Sequence, residues 1–370
     1  MNASALRAIN WLLLACLLFA AHAARAQERA KVLNLYSWTD YFPKSLRDQF
    51  QAQTGIRVNY SVFDSPDTVE TVLSVGHSGY DLVIVNAAPH LGREAPRGFF
   101  RKLDKAQLPN LKNADAQVMQ VLQAVDPGNH YAVPWMWGTV GIMYDRDKVR
   151  SLLPNLPANP LDLLFKKELA AKVTGCGISI LDNWQDVLPM VARYLGQPDL
   201  STDTAALDAV VAKLLEAKPF LRRIASSGYF EQLANGELCL ALGYSGDAMI
   251  ARRMVREAQG KRVVEYAFPR ERVPLFIDAI AIPADAPNPN GAQAFIDFIM
   301  RPDVSAAVVR DIGFGSGNGA AVALLEPAVR NNPAVFPPPE VRARFALGRL
   351  YTPLETRIFN RAWQRFKTGI

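Results

Sequence analysis

The apolar positions of this chain change rhythm repeatedly after residue 31. Val32, Leu33, Leu35 and Tyr36 crowd into one short run, which predicts a buried strand over 32–36. Residues 43–53 carry helical spacing and are closed by Gly55, a residue suited to the left-handed turn after a helix. An alternating strand follows over 56–63, then a helix over 66–75 ended by Gly76, then an apolar strand over 80–85. Such a β-α-β-α-β run predicts a parallel sheet covered by helices. Ligands of these sheets sit beyond the carboxyl ends of the strands, which is where residues 37–41 and 86–88 fall.

After Pro134-Trp135-Met136-Trp137-Gly138 the pattern begins again. Strands are predicted over 140–144, 177–181, 239–243, 263–268 and 275–282, with a helix over 186–195 and a long amphipathic one over 204–217. Asn288-Pro289-Asn290-Gly291 turns into a helix reaching Met300. Pro337-Pro338-Pro339 is a rigid surface segment ahead of a terminal helix from about 353 to 366. No internal repeat or low-complexity region interrupts the order.

The first residues carry an address. Arg7 precedes an apolar run over 11–21, and Ala24-Arg25-Ala26 stands before Gln27. Positive region, apolar region and small-x-small site in that order predict an export signal over 1–26, with the exported chain starting at Gln27. Leu13-Leu14-Ala15-Cys16 has the look of a lipoprotein signal, but Cys16 falls inside the apolar run. No later stretch approaches the about 18 consecutive apolar residues of a membrane span. The roughly 340 residues that remain exceed one ordinary core, so two lobes are expected.

Export changes the reading of charge and cysteine. Loss of Arg7 and Arg25 lowers the net charge from +6 to +4, and no concentrated basic stripe suited to nucleic acid is present. Of three cysteines only Cys176 and Cys239 survive. An even pair in an oxidising compartment predicts a Cys176–Cys239 disulfide, two buried thiols being the alternative.

Candidate chemistry lies in aromatic residues standing shortly before aspartates, at Trp38/Asp40, Trp184/Asp186, Tyr244/Asp247 and Phe276/Asp278. An alkylammonium ligand needs carboxylates for its charged ends and ring faces for its methylenes, because a buried unpaired charge is costly and ring faces attract cations. Several such pairs arise by chance in a chain with 9% aromatic residues. Phe295/Asp297 has the same spacing but lies in a stretch that reads as a core-facing helix. Catalytic constellations are missing. His77, His90 and His130 lack the spacing of H-E-x-x-H, and Gly243-Tyr244-Ser245-Gly246 lacks the last glycine of a nucleophile elbow. Gly313-Phe314-Gly315-Ser316-Gly317-Asn318-Gly319 has no lysine-bearing helix behind it and reads as a crossing between lobes rather than a phosphate loop.

Tyr36-Ser37-Trp38-Thr39-Asp40-Tyr41, Phe63-Asp64-Ser65, Tyr80-Asp81-Leu82-Val83, Val133-Pro134-Trp135-Met136-Trp137-Gly138-Thr139, Leu233-Ala234-Asn235-Gly236-Glu237, Gly243-Tyr244-Ser245-Gly246-Asp247 and Asp278-Ala279-Ile280-Ala281-Ile282-Pro283 occur in this order. With them the chain resembles the periplasmic putrescine- and spermidine-binding proteins of ABC transporters over nearly its whole exported length. The resemblance implies an α/β, two-lobed periplasmic-binding-protein fold of type II, each lobe a mixed, mostly parallel sheet flanked by helices. The lobes would comprise 27–134 plus about 282–314, and 135–281 plus about 315–370, joined by crossings near 134–138, 277–283 and 312–318. The implied ligand is a polyamine, the implied partner a membrane permease, and the implied protein a monomer without cofactor, catalytic residue or metal. The same pocket would also serve a polyamine sensor on a signalling receptor, or another organic amine.

Carried over by position, Trp38, Thr39 and Asp40 would meet the first ammonium, supported by Tyr41. Asp186, Tyr244 and Asp247 would come from the other lobe, and Phe276, Asp278 and Phe314 would complete the box. Four positions depart from the putrescine binders of the family. Asn86 stands for a serine, Asp186 for a glutamate, Tyr244 for a tryptophan and Phe314 for a tyrosine.

Overall fold

A computed structural model describes residues 31–39, 41–63 and 66–369. The predicted export signal over 1–26 and the candidate Asp40 lie outside the described residues.

The first half builds as its pattern predicts. Strand β1 (Val32–Trp38), helix α1 (Lys44–Thr54), β2 (Arg57–Phe63), α2 (Pro66–Ser74) and β3 (Leu82–Asn86) follow one another. β1 is paired in parallel with both β2 and β3. Gly55 ends α1 at φ 72°, a conformation open to glycine at little cost, and its N–H returns to Gln51 O.

Strand β4 (Ala132–Asp145) is the first departure from expectation. The sequence pattern places a strand only over 140–144, and the resemblance implies a crossing between lobes near 134–138. The structure runs one buried 14-residue strand through both, absorbing the irregularity as a register shift between Pro134 and Met136.

The second half comprises β5 (Ile178–Ile180), α3 (Trp184–Tyr194), α4 (Thr204–Ala217), β6 (Arg223–Ile224), α5 (Tyr229–Asn235), β7 (Leu240–Tyr244), α6 (Ser245–Glu257) and β8 (Val264–Ala267). Then come β9 (Val273–Ala281), α7 (Pro289–Ile299), α8 (Pro302–Ile312), β10 (Gly315–Ser316), β11 (Phe345–Leu347) and α9 (Pro353–Thr368). Helices α6 and α8 are not anticipated from the sequence.

The sheet order is β2-β1-β3-β9-β4-β7-β5-β6. β4 links two halves. Ala132–Thr139 pairs antiparallel with Leu275–Ala281 of β9, whereas Val140–Asp145 pairs with β7 and β8. β10 lies antiparallel on Met136 and Trp137.

Two large hydrophobic cores form on either side of this junction, and a small cluster of Ala306, Val309, Ala321 and Leu325 packs beside α8. The first gathers Leu33, Leu35, Phe50, Leu82, Ile84, Phe295, Val308 and Ile312, and the second Ile142, Val187, Val211, Leu233, Ala248, Ala251, Phe359 and Phe366. Two cores on one continuous sheet make a two-lobed α/β molecule. Phe295 belongs to the first core, against Phe50 and Phe42, while Asp297 accepts the backbone and side-chain N–H of Asn110. This pair of the tempting spacing is structural. Cys176 and Cys239 are joined as a disulfide, with Cα atoms 5.5 Å apart.

Candidate functional site

The candidate residues gather where both lobes end their strands. Trp38 closes β1 and Asn86 closes β3, while Tyr244 closes β7, whose neighbour β5 runs parallel to it. Asp247 and Asp186 lie in the first turns of α6 and α3, where partial positive charge at a helix N-terminus favours a carboxylate. Asp278 comes from the junction strand β9, paired opposite Asn86 and Met136.

Three carboxylates are held by neutral donors. Tyr41 Oη donates to Asp278 Oδ2 at 2.8 Å, and Asn86 Nδ2 donates to Oδ1 of the same group. Tyr244 Oη and Asn183 Nδ2 donate to Asp186 Oδ2 at 2.9 and 2.8 Å. Tyr229 Oη donates to Asp247 Oδ2 and accepts the Tyr244 backbone N–H at 3.1 Å.

Burial governs their protonation. It pushes Asp278 up to about 6, against the hydrogen bonds of Tyr41 and Trp38. Asp186 is raised to about 6 by burial, which outweighs the donors Tyr244 and Asn183. Burial likewise raises Asp247 to about 7, with the charge of Glu231 adding and the Tyr229 hydroxyl opposing. Among the described residues, no lysine or arginine belongs to the groups that shift these three acids. The hydroxyls that face them respond in kind, Tyr41, Tyr229 and Tyr244 all being raised by burial and then by aspartate charge.

Rings join the acids. Tyr41 lies 6.2 Å from Phe314, Phe314 5.7 Å from Phe276 and Phe276 5.4 Å from Tyr244, the last two pairs edge to face. The series starts at the donor to Asp278 and ends at the donor to Asp186. Tyr41 also feels the charge of Asp247, so the third acid lies within reach of the same space. Trp38 is half-buried and packs on Phe63 at 4.5 Å, its carbonyl accepting the Tyr60 hydroxyl, whereas Thr39 beside it is exposed.

Several contributors escape the sequence reading. Tyr229 reaches Asp247 from α5, with no local signal to mark it. Asn183 is the N-cap of α3, three residues before Asp186, a capping pattern that could have been read. Gly138 and Gly246 make room for rings. A Cβ at Gly138 would stand 2.6 Å from Phe276 Cζ, and one at Gly246 would come within 2.2 to 2.3 Å of three Phe314 ring atoms.

Elsewhere Glu70, His90 and Glu94 bring ligand atoms within 4.8 Å of one another. Arg93 lies against all three of them, with Nη2 3.2 Å from His90 Nδ1 and 3.5 Å from Glu94 Oε1 and paired with Glu70. Its guanidinium supplies the positive charge there.

Rings and acids gathered at the strand ends of a two-lobed α/β molecule fit the architecture of a solute-binding protein. Residues 45–337 match the family of bacterial extracellular solute-binding proteins, and the chain belongs to it. It is 40% identical to the putrescine-binding periplasmic protein SpuD of Pseudomonas aeruginosa over 345 residues, 92% of each chain. It is 37% identical to the putrescine-binding periplasmic protein PotF of Escherichia coli over 364 residues, 97% of this chain and 98% of that one. Among solved structures, a putative spermidine/putrescine ABC transporter protein from Listeria monocytogenes superposes with a TM-score of 0.78 at 26% identity, covering 92% of this chain and 100% of the other.

Proposed function

We propose that this chain captures a polyamine, a putrescine-like diamine or spermidine, between its lobes in the periplasm and delivers it to the membrane permease of an ABC importer. One observation carries the reading. Three aspartates, Asp278 buried and Asp186 and Asp247 half-buried, stand beside one series of rings and are met by neutral donors, with no basic side chain among the described groups that shift them. Buried charge without a counter-ion is unfavourable, so the missing partner is a cation. Acids at both ends of the ring series call for a guest charged at both ends. The names of the relatives point the same way.

In this reading Tyr41, Asn86, Tyr229, Tyr244 and Asn183 hold the carboxylates in place while leaving acceptor capacity, since an ionised carboxylate offers about four lone-pair sites. Each ammonium brings three donors. Methylenes of the ligand replace water along Phe276, Phe314, Tyr41 and Trp38, worth about 0.8 kcal/mol per buried CH₂. An ammonium over a ring face adds about 0.5–2 kcal/mol. Thr39 and Asp40 complete the first-lobe side in the carried-over site, and the lobes divide as 27–134 with about 282–314 against 135–281 with about 315–370. The ligand favours the closed form only by its differential affinity for it, and the permease reads that form.

Calorimetric titration of refolded, ligand-stripped protein against putrescine, cadaverine, agmatine and spermidine tests the proposal. Asp278→Asn or Asp247→Asn should weaken a diamine by at least about tenfold, the equivalent of 1.4 kcal/mol, without loss of the cooperative melt. Parental affinity in both variants, or no saturable heat with any amine, sinks the assignment.

A further inference from the structure

Between α6 and α8 lies a pocket of different character, open to solvent. It measures about 260 Å³ and is bounded by α6 on one side and by α8 with the 328–335 segment on the other. Four arginines line it, Arg252, Arg253 and Arg256 from α6 and Arg310 from α8, over apolar side chains such as Val309 and Val329. No aspartate or glutamate lines it.

Local structure accounts for part of this charge. Arg256 and Arg310 lie in the last turns of their helices, where carbonyl ends attract cations. Arg252 Nε donates to Val264 O, and Arg253 Nη1 donates to Asp311 O. Arg310 pairs with Glu326 at 3.0 Å, and Glu257 approaches Arg253 only to 3.9 Å. Arg310 Nη2 also donates to Leu324 O at 3.1 Å, and Arg256 and Arg310 are exposed; a guanidinium has five donors, so these contacts leave most of the set to solvent or a ligand. Arg256 has no ion-pair partner among the described residues. Burial lowers the pKa of Arg252, the distant charges of Glu265 and Tyr144 only partly opposing it.

We propose that this cavity is a second binding site, for a small amphipathic carboxylate whose head meets the arginines and whose short apolar tail lies on the valines. Its volume is below that of pockets for drug-sized ligands, so the guest is small. Its two walls belong to different cores, Ala248 and Ala251 of α6 to the second and Val308 and Ile312 of α8 to the first. An anion held by both walls therefore favours the lobe arrangement seen here. Asp247 of the amine site begins the same helix that carries Arg252, and Phe314 directly follows the segment that ends this cavity at Gly313. Carboxylate and amine then strengthen each other's binding, by the same factor in both directions. This coupling rests on the amine reading; the carboxylate site itself does not.

The test titrates amine-free protein in low-salt Tris chloride with hexanoate, with inorganic phosphate and with hexanamide as the uncharged control. Saturable binding of hexanoate, tighter than phosphate, with hexanamide silent, is the expected result. Arg256→Gln and Arg310→Gln should each weaken hexanoate about tenfold and leave the putrescine affinity of anion-free protein unchanged. Silence with hexanoate, tighter binding of phosphate, or indifference to both substitutions overturns the site. Saturating hexanoate should tighten putrescine, and unaltered putrescine affinity overturns the coupling. A protein that takes hexanoate but no amine at all refutes the amine reading and keeps the carboxylate site.

Discussion

At the residue scale the site depends on hydroxyls that serve two masters. Tyr229 Oη donates to Asp247 and accepts the backbone N–H of Tyr244, so one atom fixes both an acid and the strand end beside it. Tyr229→Phe takes the hydroxyl acceptor from that half-buried N–H, at a cost of about 1 kcal/mol in a denaturant melt. It also removes the hydrogen bond that lowers Asp247, whose pKa already stands near about 7. Amine affinity of the variant should therefore fall most near neutral pH and recover towards the parent at higher pH, where Asp247 ionises anyway. A loss independent of pH contradicts this role. The substitutions that separate this chain from its resemblance also act in concert. Asp186 is a methylene shorter than glutamate, and the Tyr244 hydroxyl reaches it at 2.9 Å. Asn86 supplies an amide donor to Asp278 from the neighbouring strand.

At the scale of elements the close approach of α6 to the segment following α8 is the sensitive joint. Gly246, in the first turn of α6, lies so near Phe314 that an added methyl clashes with three atoms of the ring, and that ring is held between Tyr41 and Phe276. Gly246→Ala gains about 1 kcal/mol of helix propensity, but overpacking costs about 1–3 kcal/mol. The expected net result is a lower melting temperature together with weakened amine binding; a variant more stable than the parent and binding amines normally shows that the ring moves freely. The legibility of the chain divides along the same lines. β1 to β3 and their helices were legible because apolar runs and closing glycines such as Gly55 mark them. α6 was not, because its buried face is built from Ala248, Ala251 and Val255 with Gly246 beneath the ring, and small side chains give little periodic contrast. α8 was hidden in a similar way by Ser305 and Ala306 among its buried positions. The unity of β4 was concealed by Pro134 and the register shift beside it. Of the site, Asp186, Asp247 and Asp278 could be named from sequence, whereas Tyr229 is brought to Asp247 only by the packing of α5 against α6.

For the whole molecule the raised acids make stability and capture respond to pH in opposite senses. Asp186 and Asp278 stand near about 6 and Asp247 near about 7 in the folded chain, against an ordinary 3.8. An acid raised by folding binds its proton more tightly in the native state, so its favourable contribution is complete below about pH 4 and is lost as pH climbs through 6 to 7. Ligand-free protein should accordingly lose stability from these groups between about pH 4 and 7, on the order of several kcal/mol together. Glu355 has the opposite tendency, its Arg349 partner and the Thr352 backbone holding it down at about 2, and it acts only at lower pH. A dication reverses the balance in the cleft, because it pairs with the charged carboxylates that burial penalises. Diamine affinity should rise with pH through 6 to 7, and binding near pH 6 should release protons, read as a dependence of calorimetric heat on the ionisation enthalpy of the buffer. The stabilisation of the melt by putrescine should correspondingly be larger at pH 8 than at pH 5. An affinity flat across that window, with no proton released, means that the three aspartates are already ionised before the ligand arrives, and that solvent rather than the amine balances their charge.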